Sequence, residues 1–185
     1  MSRELPHSTE AEQSILGAMM IYPSVTSVVY DQGLDARDFY LDIHQRIFSA
    51  MMDITDSGKP VDVTTLIARL QDIEQLNLVG GADYIIKLSD TAISSANSVY
   101  YIEMIKSRAH LRRLIEAAEQ IAEDGFDTAN DLDEIMDKAE RDILNVTRSR
   151  RATDFKSSRE VVSNVMQELI RLRSSDNRVT GIKTG

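Results

Sequence analysis

Apolar residues recur along this chain at three- and four-residue intervals, the spacing that places side chains on one face of a helix. Ala11, Ile15, Ala18 and Met19 share such a face, Thr9 and Glu12 stand before them at capping-box spacing, and Pro23 stops the segment. Val25 to Val29 has strand-like composition, yet Val25, Val28 and Val29 fall on one helical face between Ser24, a candidate cap, and Gly33, so a second helix is expected. Ile43, Ile47, Phe48, Met51 and Ile54 keep the helical period without a miss until Gly58-Lys59-Pro60. Asp62 is placed to cap a helix carrying Leu66, Ile67 and Leu70, and Gly80-Gly81 separates it from Tyr84-Ile85-Ile86-Lys87-Leu88. Five short helices over 1–97 are expected to form a globular bundle.

From Ser98 the pattern lengthens. Ile102, Ile105, Ala109, Leu111, Leu114, Ile115, Ala118, Ile121 and Ala122 continue to Asp124, and Gly125 closes the segment. Such a helix reaches roughly 40 Å at about 1.5 Å per residue, longer than a small core needs. Asp131 and Glu134 open a second helix bearing Leu132, Ile135, Met136, Ala139, Ile143 and Leu144. Two long amphipathic helices joined by a short loop pack antiparallel, which makes 98–146 a helical hairpin. Its apolar seam has two readings, an intramolecular core and a self-association surface, and the second is favoured because the hairpin projects. Residues 147–157 are polar, with Arg148, Arg150, Arg151 and Lys156, and are expected to be a flexible linker. Ser157 and Glu160 form another capping-box pair before Val161, Val162, Val165, Met166, Leu169, Ile170 and Leu172, an amphipathic helix over 158–173. That stripe docks on a neighbour, folds back or frays, and the residues alone leave the three open. No periodicity is left in 174–185, which is expected to be disordered. The fold class is therefore all-α: a small helical bundle, a long antiparallel hairpin, then a linker with one amphipathic helix.

Composition narrows this further. With 185 residues and 42% hydrophobic residues, the chain has enough apolar mass for one good core plus an appendage. Eight Gly and three Pro leave few helix breakers. The absence of cysteine excludes disulfides, thiolate zinc sites and a cysteine nucleophile. No apolar run approaches about 18 residues and no signal-like segment opens the chain, so a soluble, cytoplasmic protein with no membrane contact is expected. The net charge of −9 is unevenly placed: residues 1–150 carry 14 Lys and Arg against 26 Asp and Glu, while 151–185 carry 7 against 4. An acidic body repels phosphate backbones, which disfavours direct nucleic-acid binding there.

Candidate chemistry is sparse. His44, one turn before Phe48, reads as a functional histidine or as structural support for the Asp38-Phe39-Tyr40 turn, and the second is favoured. His7 and His110 have no partner at metal-ligand spacing, and no metal site is expected. Asp31, Asp35, Asp38 and Asp42 suit a cation, but helix caps and solvated turns account for them better. Lys183-Thr184 resembles the end of a phosphate-binding loop, yet Ile182 and Asn177 occupy the places where that loop requires glycine. The carboxylates over 116–142 lie on polar helix faces, and no constellation for acid–base or nucleophilic work emerges. No catalytic residue and no cofactor are assigned to these residues.

Several short motifs, in order, carry a resemblance. They are Glu10-Ala11-Glu12-Gln13 with Leu16-Gly17, Asp38-Phe39-Tyr40 with His44 and Ile47-Phe48, Pro60-Val61-Asp62 with Thr65-Leu66, and Gly80-Gly81 with Tyr84. Asn97 with Tyr100 or Tyr101 and Leu111-Arg112-Arg113-Leu114 complete the set. The chain resembles the amino-terminal domain and linker of a DnaB-type replicative DNA helicase, bacterial or phage. Thr180-Gly181-Ile182-Lys183-Thr184-Gly185 resembles the boundary motif leading into that family's RecA-like ATPase domain. The resemblance implies that ATP and magnesium belong to the ATPase domain beyond Gly185, and that these residues are an assembly module with no reaction of their own. It implies pairing through the hairpins, a collar on a hexameric ring, docking of primase, a possible role for a helicase loader, and DNA contact only indirectly through the complete ring. On this basis Leu111, Leu114, Ile115, Ala118, Ile121, Leu132, Ile135, Met136, Ala139 and Ile143 supply the hairpin core and pairing surface. Val161, Val165, Met166, Leu169 and Leu172 supply a docking stripe for the adjacent subunit's ATPase domain. The rival readings are a helical adaptor or oligomerisation domain with no helicase attached, and an enzyme of unknown type.

Overall fold

The computed structural model describes residues 4–92, 94–126 and 131–153. Among these the regular structure is helical: α1 (Thr9–Ile21), α2 (Pro23–Asp31), α3 (Asp42–Asp56), α4 (Val63–Asp72), α5 (Gly81–Asp90), α6 (Ser98–Phe126) and α7 (Leu132–Thr153), with a 3-10 turn over Ala36–Asp38. Helix α1 is the spine of the body. Ile15, Leu16 and Met19 are fully buried there among Ile47 and Met51 of α3, Leu66 and Leu70 of α4, and Ile85 and Leu88 of α5.

The helix starts differ from expectation in two places. The cap of α1 is Ser8, whose hydroxyl accepts from the Ala11 amide at 3.4 Å, and Thr9 is the first helical residue. Glu12 is thereby released from cap duty and points into the body. Ser24 lies inside α2 rather than capping it, because Pro23 takes the first helical position, where its missing N–H costs nothing and its fixed φ suits the helix. The Asp62 cap of α4 forms as a reciprocal box, with the Thr65 amide donating to Asp62 at 2.8 Å and the Asp62 amide donating to the Thr65 hydroxyl at 2.9 Å.

Helix α6 is a single element serving two environments. In its first half Ser98, Ile102, Ile105 and Ala109 are buried against the body, largely against α1. The globular unit therefore extends past the boundary expected at residue 97. Beyond Arg113 no residue of α6 is buried, and its second half packs on α7 as the expected antiparallel hairpin. Helix α7 runs to Thr153, so the polar stretch expected to begin a linker at 147 starts as helix. The physical reason is plain: neither Gly nor Pro occurs between Gly125 and Gly181, arginine is a good helix former, and positive charge is favourable near a helix C-terminus.

Candidate functional site

The surface with the strongest claim to function is one face of the hairpin. Its seam is built from half-buried side chains: Ala117, Ile121 and Asp124 of α6 against Ile135, Ala139, Asp142 and Val146 of α7. An ion pair between Lys138 and Asp124, 2.6 Å apart, closes the seam near its far end. The Lys138 ammonium, and secondarily the Gln120 amide, hold the Asp124 carboxyl below its ordinary range, and Asp124 raises Lys138 in return.

Beside the seam lies a second set of apolar residues that nothing among the described residues covers. On α6 Leu111, Leu114, Ala118 and Ala122 are exposed, and on α7 Leu132 and Met136 are 69% and 61% exposed with Ile143 also open. At about 100° per residue, both sets sit roughly a quarter turn onward from their own helix's seam in the same rotational sense. Because the two helices run antiparallel, equal rotation brings both sets to the same side of the hairpin. The ten residues expected to serve the hairpin thus divide in two. Ile115, Ile121, Ile135 and Ala139 are half-buried, and the other six are displayed to solvent. Val161, Val165, Met166, Leu169 and Leu172 lie outside the described residues.

The base of the hairpin is polar, which the apolar pattern did not foretell. Between Leu111 and Leu114 the buried residue is Arg112. Its guanidinium donates to the Pro6 carbonyl at 2.8 Å and the Asp38 carbonyl at 2.5 Å, and lies 5.6 Å from the centre of the Tyr40 ring. Arg113 donates to the Asp38 carboxylate at 2.5 Å. One to two turns earlier, Lys106 donates to the Gln32 carbonyl and, at 3.2 Å, to that of Gly33. Its ammonium thus caps the negative end of α2, while burial pulls it below its ordinary value.

A second buried polar cluster ties the body together. The Glu12 carboxylate accepts from the Tyr40 amide at 2.7 Å and the Leu41 amide at 3.5 Å, standing at the N-terminus of α3, whose Leu41 has no side chain to cap it. Nδ1 of His44 is 2.7 Å from Glu12, and Nε2 is 2.7 Å from the Tyr84 hydroxyl, to which the Gln13 amide donates at 3.4 Å. With Nδ1–H donating to the carboxylate, Nε2 accepts from Tyr84, and donors and acceptors alternate through this cluster. His44 supports the turn after Asp38 through Glu12, as its position in the sequence suggested. Three of the four aspartates have structural partners: Asp35 caps the 3-10 turn and pairs with Arg37, Asp38 receives Arg113, and Asp42 pairs with Arg46. Among the described residues no group of three or more metal-type ligands converges, and no helix is long and apolar enough to cross a membrane.

A helical body continued into a hairpin whose displayed apolar face nothing among the described residues covers defines an all-α domain. Comparison with known proteins says which. The DnaB-like helicase N-terminal domain family matches residues 4–107, more than half of the chain, which belongs to that family. It is 37% identical over 180 residues to the replicative DNA helicase DnaB of Geobacillus stearothermophilus, an alignment covering 97% of this chain and 39% of that one. The chain therefore spans about two fifths of the length of the curated relatives it matches. The crystal structure of the N-terminal domain of DnaB helicase from Mycobacterium tuberculosis superposes with a TM-score of 0.73 and 33% identity, over 77% of this chain and 99% of that one. A DnaB-like replicative helicase described with its interactions with primase has the same fold, with a TM-score of 0.62 and 22% identity, over 96% of this chain and 38% of that one. The matched family is the N-terminal domain of such helicases and not their ATPase domain.

Proposed function

We propose that this chain is the assembly and docking part of a replicative DNA helicase: its hairpin pairs with the hairpin of a second copy, pairs build a collar on a hexameric ring, and primase docks on that collar. The observation that carries the reading is the apolar face of Leu111, Leu114, Leu132, Met136 and Ile143, displayed on a hairpin whose seam is already filled by other residues. Covering about 600 Å² of such surface yields on the order of 15 kcal/mol gross, most of it offset by association and ordering costs. A neighbouring fold described with primase supports primase as the further partner. In this reading ATP and magnesium are used by the ATPase domain of the whole helicase, DNA is engaged through the ring, and a loader protein is a further candidate partner. Residues 158–173 serve as a docking helix for an adjacent ATPase domain, with Val161, Val165, Met166, Leu169 and Leu172 as its stripe.

Sedimentation of the chain with and without the carboxy-terminal domain of a primase tests both halves. The expected result is mass that rises with protein concentration and a further, faster species when primase is added. A monomer at every concentration that ignores primase overturns the proposal.

A further inference from the structure

The strongest unassigned feature is the cationic cluster where α6 leaves the body. Three consecutive attachments, Lys106, Arg112 and Arg113, grip the body through backbone carbonyls of Gln32, Gly33, Pro6 and Asp38 and through the Asp38 carboxylate. These acceptors belong to three separate segments: the end of α2, the strand of chain before α1, and the 3-10 turn. Tyr40 adds a fourth contact, lying under Arg112 and stacked on His7 with ring centres 4.2 Å apart.

Position along α6 is what gives the cluster its meaning. Apolar burial of α6 ends at Ala109, and beyond Arg113 the helix touches the body no further with a buried residue. Arg112 and Arg113 are thus the last hold before about 20 Å of projecting helix, so that a tilt of about 10° at this point displaces the tip by roughly 3 to 4 Å. Apolar contacts are non-directional and would tolerate such a tilt. A planar guanidinium donating to two fixed carbonyls does not, because its donors form a rigid fork. Burial opposes the charged form of both Lys106 and Arg112, and buried ionic contacts are in general weak sources of net stability. What such contacts supply is geometry.

We propose that Lys106, Arg112 and Arg113 form a pivot latch that sets the pitch of the hairpin on the body, and that the latch, rather than the apolar packing of α6, fixes this angle. Asp38 is its switch point, since one oxygen receives Arg113 while the other accepts the Asp35 amide at 3.0 Å, so the turn and the hairpin are held by one side chain. The consequence for assembly, that the latch sets the angle between two paired bodies, rests on the pairing proposed above; the latch itself does not.

The test reads an intramolecular distance, and the absence of cysteine makes the chain ready for it. Spin labels at Gln71→Cys on α4 and Glu119→Cys on α6, both exposed positions, are measured in labelled chain diluted with an excess of unlabelled chain. The expected result is a single narrow distance in the parent and loss of that narrow peak in Arg112→Met, with the methyl resonances of Ile15, Ile47 and Met51 unmoved. An unshifted narrow peak in a folded Arg112→Met overturns the proposal. Should Arg112→Met disperse the body resonances, Arg113→Gln decides by the same two readings, because it leaves the Pro6 and Asp38 carbonyls engaged. Sedimentation does not enter this result, so failure of pairing and failure of the latch are told apart.

Discussion

Gly17 sits where α1 crosses the end of α5, and a Cβ placed there would stand 2.2 Å from the Leu88 carbonyl oxygen and 2.8 Å from the Thr91 hydroxyl. The Thr91 hydroxyl lies 2.7 Å from the Leu88 carbonyl oxygen and 3.0 Å from that of Gln13, so its one proton is within reach of both helices only because they approach so closely. Gly17→Ala should cost about 1–3 kcal/mol by overpacking, visible as a thermal midpoint several degrees lower; an unchanged midpoint would mean that the crossing relaxes freely. Glu12 is the other residue on which α1 depends. Glu12→Ala leaves two amides and an imidazole N–H facing an apolar cavity, and should cost about 3 kcal/mol in urea unfolding, whereas a loss under about 1 kcal/mol would show that water replaces the carboxylate. The Glu-Ala-Glu-Gln and Leu-Gly pieces of the family signature thus have physical content: one carboxylate that caps a different helix, and one residue small enough to let two helices touch.

Among the elements, the hairpin tip carries the clearest dependence on pH. Asp124 is held below its usual value of 3.8 by Lys138, so its contribution is present above that value and is lost as pH falls through the lower, folded one. Lys138, held above 10.5, contributes below that value and loses its share as pH rises past the folded one. Carbonyl shifts of residues 134–142 should therefore report loosening of α7 below about pH 4, and Asp124→Asn should remove that inflection; an identical acid profile in the variant would detach the ion pair from the tip's stability. The elements were legible because their apolar residues keep the helical period and their breakers are few: Gly80-Gly81, Pro60 and Gly125 fall where helices begin or end. What the pattern hid was polar. Arg112 stands between two leucines and reads as the solvated side of a stripe, yet it is the buried residue at that turn, because its acceptors are backbone carbonyls that no side-chain pattern displays. The end of α7 was misplaced for a related reason, since a run of arginines looks like a linker by polarity while favouring helix by propensity.

For the whole molecule, the separation of seam from display surface gives two substitutions with different outcomes. Leu114→Asp puts a charge on the displayed face alone and should leave a folded hairpin that no longer rises in mass with concentration. Ile135→Asp puts a charge into the seam and should open α7 from α6 as well, lowering helix content by circular dichroism. If both variants lose helix alike, the displayed face is also part of the hairpin's own core, and the case for a partner weakens.

One uninterrupted helix, α6, is both a wall of the body and a strut of the hairpin, so the two share a single rotational phase. Adding one alanine after Arg113 changes neither charge nor hydropathy appreciably, yet it swings everything beyond by about 100° around the shaft. Leu114, Leu132, Met136 and Ile143 would then look sideways, out of line with Leu111, and Ala117 and Ile121 of the seam would occupy the bearing that Ala118 and Ala122 had. A molecule so altered should fold, keep its helix content and fail to find its twin, because what it lost is aim.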